Sequence, residues 1–310
     1  MSDGETYLPA YARLGLKRLK DRAKRAQELL SPCRLCPRKC GIDRPGGERG
    51  FCKTGLEAIV SSRNLHHGEE PPISGYKGSG TIFFSHCNLR CVFCQNYPIS
   101  QLGIGEPVDS KGLADMMLYL QNCNAHNINF VTPSHVVAAI LDALVVALEK
   151  GLRIPLVYNS SGYDSLEELQ LLDGVVDIYM PDSKYSDNKA AQRFSGAEDY
   201  VEVNRAALKE MHRQVGVLEM DEGGVARRGI LIRHLVLPQD FAGAEEIMRF
   251  IAEELSPETY ISLMSQYFPA NKTAAYPDVD RAITREEYRK ALQAMERHNL
   301  HQGFIQGSKM

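Results

Sequence analysis

The sequence predicts an α/β fold built on a parallel sheet. Short apolar segments typical of buried strands alternate with helical segments from residue 81 to residue 298. Strands that alternate with helices are joined by right-handed crossovers and form parallel sheets. With 310 residues, the chain is long enough for a large α/β barrel with an appendage or for two units. This pattern alone does not separate a barrel from a doubly wound sheet.

The N-terminal part of the chain is predicted to lie outside this alternation. Apolar residues recur at helical spacing from Leu19 to Leu30, which predicts an amphipathic helix over 10–30. A cysteine-rich segment occupies 33–52, and a Pro-Pro pair followed by three glycines predicts a loop over 71–80. The predicted division is 1–75, a helix with a cysteine-rich segment; 76–268, the strand–helix domain; and 269–310, a C-terminal helical extension.

Within the main domain, each predicted strand is a short run rich in β-branched and aromatic residues. The predicted strands are residues 81–85, 127–131, 155–159, 175–180, 229–237 and 260–265. Thr132 and Pro133 offer an N-cap and an N1 proline for one helix, and capping boxes begin two others at Ser165 and Thr284. The predicted helices are residues 134–150, 165–174, 197–214, 242–255 and 284–298.

Composition and targeting signals narrow the class of protein. Apolar residues make up 44% and charged residues 24%, which is typical of a globular chain and excludes a collagenous or disordered one. The chain starts without the apolar run of a secretory signal. Its longest stretch without formal charge, 116–141, is interrupted by asparagines and a proline, so no membrane helix is predicted. We expect a cytoplasmic protein with no membrane partner.

Charge is distributed unevenly along the chain. Residues 1–63 carry 14 Lys+Arg against 7 Asp+Glu, whereas the remainder carries 22 against 32. A basic front could bind nucleic acid or an acidic partner. No run of like charges exceeds ~5, so a solvated helix face and positive charge near metal-bound thiolates explain the excess more simply. No nucleic-acid partner is therefore expected.

Seven of the eight cysteines fall into two groups, which in a reducing compartment indicate metal binding or catalysis rather than disulfides. Cys87, Cys91 and Cys94 form a C-x3-C-x2-C run after the first predicted strand. A structural zinc site would normally use a fourth ligand, for which His86 and the distant Cys123 are the candidates. Three thiolates without a fourth fit a [4Fe-4S] cluster with one iron left open. Cys123 is more simply a small residue without a ligand role.

This cysteine run, with Phe93 before its last cysteine, resembles the signature of the radical S-adenosylmethionine superfamily. The longer string GSGTIFFSHCNLRCVFCQN at 78–96 is similar to pyruvate formate-lyase activating enzymes and to uncharacterised activating-enzyme-like Fe–S proteins. The likeness extends over about residues 7–306. The resemblance implies an open (β/α)6 partial barrel, a [4Fe-4S] cluster on the three cysteines, and S-adenosylmethionine as cosubstrate. One-electron cleavage of the cosubstrate would yield a radical that abstracts hydrogen from a substrate.

The second group is Cys33, Cys36, Cys40 and Cys52, which we call the cysteine knuckle. Four thiols within 20 residues, separated by proline and glycines, predict one metal centre that holds residues 31–55 folded. A zinc ion and a second Fe–S cluster both accept four thiolates, and the sequence leaves both open. The arrangement resembles an N-terminal cysteine segment of activating-enzyme-like proteins. Zinc is slightly favoured, since the radical chemistry of the family needs only the other site.

In parallel α/β folds, ligands bind at the carboxyl ends of the strands, which selects further candidates. Thr132 and Ser134 open a helix whose free N–H groups suit a carboxylate of the cosubstrate. Members of the family that the sequence resembles often carry Gly-Gly-Glu here. This chain lacks the glutamate, so we do not assign it the family's side-chain recognition of the cosubstrate amino group. His135 could be an acid/base group, although a lone histidine is more often structural. Asn159 begins a polar cluster suited to ribose or methionyl contacts, with a simple turn as the alternative.

The remaining candidates depend more strongly on the resemblance. Phe93 matches the family residue that packs on adenine. Asp182 and Lys184 resemble an Asp-x-Lys motif that contacts the cosubstrate and the substrate side of the pocket, and we assign them the catalytic role; the alternative is an exposed turn. Arg233 matches a family arginine that binds a carboxylate, and its alternative is a structural ion pair. Gln266 and Tyr267 follow the last predicted strand, where the family places another pocket residue.

The resemblance also sets the expected reaction partners. A one-electron donor such as flavodoxin or ferredoxin would reduce the cluster. The first candidate hydrogen donor is a glycyl residue of a glycyl-radical enzyme. The alternatives are another peptide, a small molecule or RNA. A non-enzymatic electron-transfer or metal-binding module is the alternative outside catalysis.

Overall fold

The computed structural model describes residues 7–306, and ten strands in this range form one sheet. The strands are β1 (Ala58–His66), β2 (Ser79–Phe84), β3 (Glu106–Val108), β4 (Ile128–Val131), β5 (Leu156–Asn159), β6 (Ile178–Tyr179), β7 (Glu219–Met220), β8 (Ala226–Leu235), β9 (Tyr260–Met264) and β10 (Gly303–Ile305). Their order across the sheet is β10-β9-β8-β6-β5-β4-β2-β1-β3, with β7 paired to β8. Across residues 7–306 no pairing of β3 with β10 closes the sheet, so it is open.

Six of these strands, β2, β4, β5, β6, β8 and β9, run parallel and correspond to the six predicted strands. The α/β class and the open parallel sheet are therefore confirmed. Strand β10 adds a seventh parallel strand, and β1 pairs antiparallel with β2 and β3; none of these three was predicted. Because β1 and β10 come from the N-terminal and C-terminal parts of the chain, the three predicted segments share one sheet.

Helices cover the outer face of the sheet. The α-helices in the described range are α1 (Ala10–Leu14), α2 (Leu16–Glu28), α3 (Pro71–Ser74), α4 (Tyr97–Ser100), α5 (Ser110–Asn122), α6 (Val137–Glu149), α7 (Leu166–Leu172), α8 (Asn188–Ser195), α9 (Tyr200–Val215), α10 (Ala244–Glu254) and α11 (Arg285–Arg297). None of the helices within residues 7–306 is both long enough and apolar enough to pass through a bilayer.

Glycines account for two differences from the predicted helices. The single helix predicted over 10–30 is two helices, because Gly15 adopts φ +83° between α1 and α2, a conformation that a helix cannot contain. The helix predicted over 197–214 begins at Tyr200, and left-handed Gly196 ends the preceding α8. Helix α5 was not predicted.

Two of the predicted helix caps are formed, and a third is not. The capping boxes at Ser165 and Thr284 are both formed. The N-cap predicted at Thr132 is wrong: Thr132 has φ +61°, and α6 begins at Val137 without a side-chain cap. The chain therefore makes an extra turn between β4 and α6, and that turn brings Thr132 to the edge of the sheet.

Alternate residues of each parallel strand pack on opposite faces of the sheet, and both faces are largely buried. On the outer face, Ile82, Phe130 and Tyr158 pack under α2, α5 and α6 in the main core. On the inner face, Val157 and Leu231 contact Ile73 of α3, which is inserted into the barrel interior. Ile73 thus fills part of the space on the inner face of the sheet.

Candidate active site

The loops after the parallel strands surround a cavity of about 210 Å³, which we call the cysteine cavity. It brings together most of the residues that the sequence singled out from distant parts of the chain. The predicted residues that line it are Cys87, Cys91, Phe93, Cys94, Thr132, Asn159, Asp182, Lys184, Arg233 and Gln266.

The three thiols on the loop after β2 are each held by a polar neighbour. The Leu89 N–H donates to Cys87 Sγ at 3.3 Å, and the Ser195 hydroxyl donates to Cys91 Sγ at 3.0 Å. Cys94 Sγ and Ser100 Oγ lie 3.1 Å apart. Hydrogen bonds to sulfur stabilise a thiolate and orient it toward a metal.

The surroundings of these thiols oppose free thiolates. Burial, with the neighbouring Cys91 thiol, raises the pKa of Cys87 to about 12. Burial also raises the pKa of Cys91, although the Lys184 cation opposes that shift. The Cys87 and Cys91 thiols are therefore protonated at neutral pH unless a cation replaces the protons, as a metal does.

Asp182 and Lys184 form a buried ion pair at the wall of the cavity. Lys184 Nζ donates to Asp182 Oδ2 at 2.5 Å, and the two side chains are only 18% and 12% exposed. Burial alone would raise the pKa of Asp182, but the cations of Lys184 and Arg233 outweigh it and hold the pKa below its usual value. The alternative of an exposed surface turn is therefore wrong for this pair.

Arg233 is shared among carboxylates. Its Nε donates to Asp182 Oδ1 at 3.1 Å, and its Nη1 lies 3.5 Å from Glu69 Oε2. Asp182 and Arg233 come from adjacent parallel chain segments and are joined there by a β-bridge. The guanidinium therefore makes the structural ion pair that was the alternative to a cosubstrate contact, and it also faces the cavity.

Phe93 is buried, with 5% of its surface exposed, and lies on the cavity wall. Its ring meets that of Tyr267 edge to face, with the centroids 5.7 Å apart. Residues from opposite ends of the barrel domain thus meet here, and Tyr267 supports the Phe93 ring, which faces the cavity as an apolar surface against which an aromatic ring can pack.

Thr132 and Asn159 lie together at the ends of neighbouring strands. The Thr132 N–H donates to the Asn159 carbonyl at 2.9 Å. Both line the cysteine cavity, as do Ser160 and Ser161 after β5. This polar edge fits the predicted contacts to a polar ligand.

Ser134 does not line the cavity. Its hydroxyl donates to Asp164 Oδ1 at 2.5 Å, in a buried network that Tyr158 and Ser160 complete by donating to the same carboxylate. The structure therefore does not place Ser134 among the cavity residues, where the prediction of a cosubstrate contact needs it, because its hydroxyl is bonded to Asp164.

His135 is also structural in this arrangement. It is buried, its Nε2 lies 2.9 Å from the Ser85 carbonyl, and burial lowers its pKa to about 3. A neutral imidazole held by a strand carbonyl fixes the end of β2. Cys123 stands at the end of α5 and is not among the cavity residues, so it provides no fourth ligand there.

Two residues near the thiols escaped the sequence analysis. Glu69 approaches Arg233 from the loop before α3, and Ser195 reaches Cys91 from the end of α8. Neither follows a predicted strand, and neither belongs to a motif. Only the tertiary structure brings them to the site.

The cysteine knuckle folds as a compact loop beside the barrel. The Cys33 N–H donates to the Ile42 carbonyl at 2.7 Å, and Gly41 N–H returns to the Cys33 carbonyl at 2.9 Å. Gly50 packs on Cys40 so closely that a Cβ at this position would lie 2.7 Å from Sγ. The Phe51 N–H lies 3.5 Å from the same sulfur. The backbone is therefore shaped around a sulfur atom.

Three knuckle thiols share one buried environment. Cys33, Cys36 and Cys52 are 7%, 6% and 7% exposed. Burial raises the pKa of Cys36, with Glu168 and then Cys52 and Cys33 adding to the shift. Four thiols on one loop are a donor set that fits zinc or an Fe–S cluster.

The donor chemistry of both groups suits a metal, but the side chains of neither group converge on a common point. Among residues 7–306, no three or more His, Cys, Asp or Glu side chains are arranged as a metal site. Three loop thiols that open onto a cavity fit a [4Fe-4S] cluster with one open iron. Binding would require the thiols to lose protons and turn toward a common centre.

A stack of three side chains joins the knuckle to the loop of Cys87, Cys91 and Cys94. The Arg38 and Arg90 guanidiniums lie over the Phe51 ring at 3.9 Å and 4.4 Å. Arg38 Nε donates to the Asn88 carbonyl at 2.8 Å, and Arg90 Nη1 donates to the Cys87 carbonyl at the same distance. The basic charge noted in the sequence is thus concentrated partly between two sets of thiols.

Comparison with known proteins places the chain among uncharacterised relatives. No family model matches it. Uncharacterized protein MJ0674 of Methanocaldococcus jannaschii is 35% identical over 285 residues, which cover 89% of this chain and 77% of that protein. Uncharacterized protein MJ0808 of the same organism is 24% identical over 274 residues, which cover 79% and 73%.

Two solved structures are similar at low sequence identity. HydG, a maturase of the [FeFe]-hydrogenase, superposes with a TM-score of 0.49 at 12% identity over 73% of this chain and 50% of the HydG chain. Methylornithine synthase (PylB) superposes with a TM-score of 0.47 at 9% identity over 74% and 73%. With both TM-scores under 0.5, neither likeness identifies an activity for this chain.

Proposed function

The chain belongs to the family of the M. jannaschii protein MJ0674, and we propose that it is a radical S-adenosylmethionine enzyme. One observation carries the proposal. The three thiols of the C-x3-C-x2-C run line the same cavity as a buried Asp182–Lys184–Arg233 charge cluster at the carboxyl ends of a parallel sheet. The sulfur atoms and the charges come from separate parts of the chain, and a ligand that contacts both would account for their facing one cavity.

In this proposal Cys87, Cys91 and Cys94 hold a [4Fe-4S] cluster. Such a cluster would supply one electron for reductive cleavage of S-adenosylmethionine to methionine and a 5′-deoxyadenosyl radical, which would remove hydrogen from a substrate. The electron comes from a one-electron carrier such as flavodoxin or ferredoxin. The chain's own residues bind and orient the cosubstrate and exclude water.

Each charged side chain has a separate task in the proposal. Asp182 accepts hydrogen bonds from an ammonium or ribose group of the cosubstrate, and Lys184 holds Asp182 in its ionised form. Arg233 holds the second oxygen of Asp182 and presents its remaining N–H groups to a carboxylate. Phe93 forms the apolar wall for the adenine, and Thr132 and Asn159 form the polar edge.

The finer proposal is that the hydrogen donor is a glycyl residue of a partner enzyme, which would make the protein a glycyl-radical activase. The string at 78–96 and Asp182-x-Lys184 support this assignment through their likeness to activating enzymes. Transfer of a hydrogen atom from the glycyl Cα to the radical yields 5′-deoxyadenosine and a glycyl radical. The knuckle then serves as a structural metal centre beside the barrel.

Anaerobic reconstitution tests the general proposal. With iron, sulfide, dithionite and S-adenosylmethionine, the chain should bind about four irons at the loop and release methionine and 5′-deoxyadenosine in equal amounts. The Cys91→Ala variant should lose both iron at this site and cleavage. Cys123→Ala is the matched control, because it removes a thiol outside the cavity and should change neither. Unchanged iron and product in a variant lacking all three loop cysteines would contradict the proposal.

The charge cluster has its own test. Asp182→Asn keeps the side-chain volume but removes the charge, so cosubstrate binding should weaken by about 1–3 kcal/mol, as expected for a lost charged hydrogen bond. Asp115→Asn, which alters an exposed pair with Lys150, is the control and should leave binding unchanged. Equal affinity in the Asp182 variant and the parent, with equal iron content, would remove Asp182 from the site.

A further inference from the structure

A second and larger cavity, of about 850 Å³, lies beside the cysteine cavity. Gln266 lines both cavities. Between them, Glu69 in the wall of the larger cavity faces Arg233 in the wall of the cysteine cavity, with Oε2 and Nη1 3.5 Å apart. A volume of this size accommodates a substantial organic ligand or a short peptide segment. Such a ligand would meet the cysteine cavity at the Glu69–Arg233 contact.

The lining of the second cavity has a distinct chemistry. It contains three aromatic side chains, Tyr267, Tyr288 and Phe304, and one carboxylate, Glu69. None of its lining residues in the described range is Lys or Arg, and one, His67, is a histidine. The hydroxyls of Tyr267 and Tyr288 donate to the carbonyls of Val279 and Leu263, so both rings are held in place. Aromatic rings with a carboxylate are the groups that bind alkylammonium ions.

Glu69 has acceptor capacity left for a ligand. Its side chain is 9% exposed, and Oε1 accepts one hydrogen bond from Asn129 Nδ2 at 3.1 Å. A carboxylate offers about four acceptor positions, so one such bond and a long contact to Arg233 leave part of it free. Burial raises the pKa of Glu69 although the Arg233 cation opposes the shift, and the neighbouring Glu70 adds to it. A bound cation would favour the ionised carboxylate.

The charges around Arg233 also favour a cationic ligand. Asp182 and Glu69 contact this guanidinium, Glu70 acts on it electrostatically, and Lys184 is the second cation of the cluster. Glu70 is 5% exposed, and its Oε2 has no hydrogen-bond partner among the described residues. Three carboxylates thus face two cations. Negative charge in excess at a buried site attracts a cation and repels an anion.

We propose that the second cavity binds an alkylammonium group of the hydrogen donor, with Glu69 as its counter-ion and the three aromatic rings around its methylenes. The inference rests on the proposed function for the statement that this ligand is the hydrogen donor. The ammonium group belongs either to a free amine or to a lysine side chain in a peptide, which have this chemistry in common.

Calorimetric titration of the reconstituted full-length chain tests the proposal. The probes are pentylamine and three acetylated, amidated tripeptides: Gly-Lys-Gly, the same peptide with acetyl-lysine, and Gly-Glu-Gly. At least one amine probe should bind about tenfold or more tightly than the acetyl-lysine peptide, because acetylation removes the charge that Glu69 pairs. If the lysine peptide binds and pentylamine does not, the donor is a peptide. If pentylamine binds and the lysine peptide does not, the donor is a small amine.

Two variants locate the effect. Glu69→Gln should abolish the preference for the charged probes, whereas Glu222→Gln, which changes an exposed carboxylate in a different cavity, should preserve it. The comparison of lysine with acetyl-lysine on the unaltered chain holds even if the Glu69 variant fails to fold. Equal or absent binding of the charged and acetylated probes, or preference for Gly-Glu-Gly, would overturn the proposal.

The test of the alkylammonium site and the test of the proposed function can fail independently. A chain that cleaves S-adenosylmethionine but shows no preference for the charged probes refutes only the alkylammonium site. A chain that binds amines through Glu69 but releases no 5′-deoxyadenosine refutes only the radical chemistry.

Discussion

The two groups of cysteines differ in what surrounds their sulfur atoms. In the knuckle, Cys33, Cys36 and Cys52 are buried, and the backbone at Gly50 packs closely on the sulfur of Cys40. In the barrel loop, Cys87, Cys91 and Cys94 are half-buried and open onto a cavity. A metal enclosed by four protein ligands stabilises a fold, whereas a metal with an open side can bind a substrate. The comparison therefore supports the proposal of a structural role for the first group and a chemical role for the second.

The two groups are nevertheless in physical contact. Phe51 lies between Arg38 and Arg90, and both arginines also hold carbonyls of the barrel loop. These contacts link the knuckle to the backbone that carries Cys87 and Cys91. We expect the knuckle to position the loop while taking no part in the reaction.

The largest expected effect follows removal of all three loop cysteines. The triple variant Cys87/Cys91/Cys94→Ala should form no detectable 5′-deoxyadenosine, because no thiolate remains for the cluster, yet it should keep about one zinc per chain in the knuckle. Metal analysis and product chromatography measure the two outcomes. About four irons in this variant would instead identify the knuckle as an Fe–S site. A triple variant that holds neither zinc nor iron and has four reactive thiols in the knuckle would contradict the metal assignment altogether.

In the knuckle, a large effect on the folded structure is expected. Cys36→Ala should release the knuckle metal and expose residues 31–55 to proteolysis, because this glycine-rich segment is too short to bury a core of its own. Limited proteolysis and mass spectrometry detect the cut. Cys123→Ala is the control, since it removes a thiol from the end of α5. Protection of the segment after metal loss would show that packing alone holds it.

A moderate effect tests the contact between the groups. Phe51→Ala removes two cation–π contacts of about 0.5–1 kcal/mol each, so amides of residues 87–94 should exchange roughly 5–30 times faster. Hydrogen exchange measured by mass spectrometry is the readout. Tyr119→Ala is the matched control, because it removes a cation–π contact with Arg63 elsewhere. If residues 87–94 exchange equally in both variants, the knuckle does not position the loop.

The smallest effect concerns the hydroxyl that Ser195 directs at Cys91. A hydrogen bond to sulfur stabilises the more negative, reduced state of a cluster, so Ser195→Ala should lower the reduction potential of the loop cluster by roughly 20–60 mV. Spectroscopic redox titration measures the shift. The metal content of the knuckle should not change. A potential that is unchanged or higher would mean that the hydroxyl does not donate to the sulfur once the cluster is bound.

The sequence by itself determined the class of fold and the cysteines. Six strands could be located because each combines β-branched and aromatic residues in a run bounded by turn residues, which is a local property. The capping boxes at Ser165 and Thr284 are likewise local, and both formed. Cys87, Cys91 and Cys94 needed only their spacing, since three residues on one short loop stay together in any fold.

The tertiary structure decided which distant residues share the site. Ser134 satisfied a sequence rule for helix starts, but Thr132 took a left-handed conformation and sent the Ser134 hydroxyl to Asp164. Glu69 and Ser195 carried no local signal, because their partners lie more than 100 residues away along the chain. Strands β1, β3 and β10 were missed since their pairing depends on neighbours in the sheet rather than on their own residues. Local patterns define elements, whereas a site formed from several elements depends on contacts that only the folded chain makes.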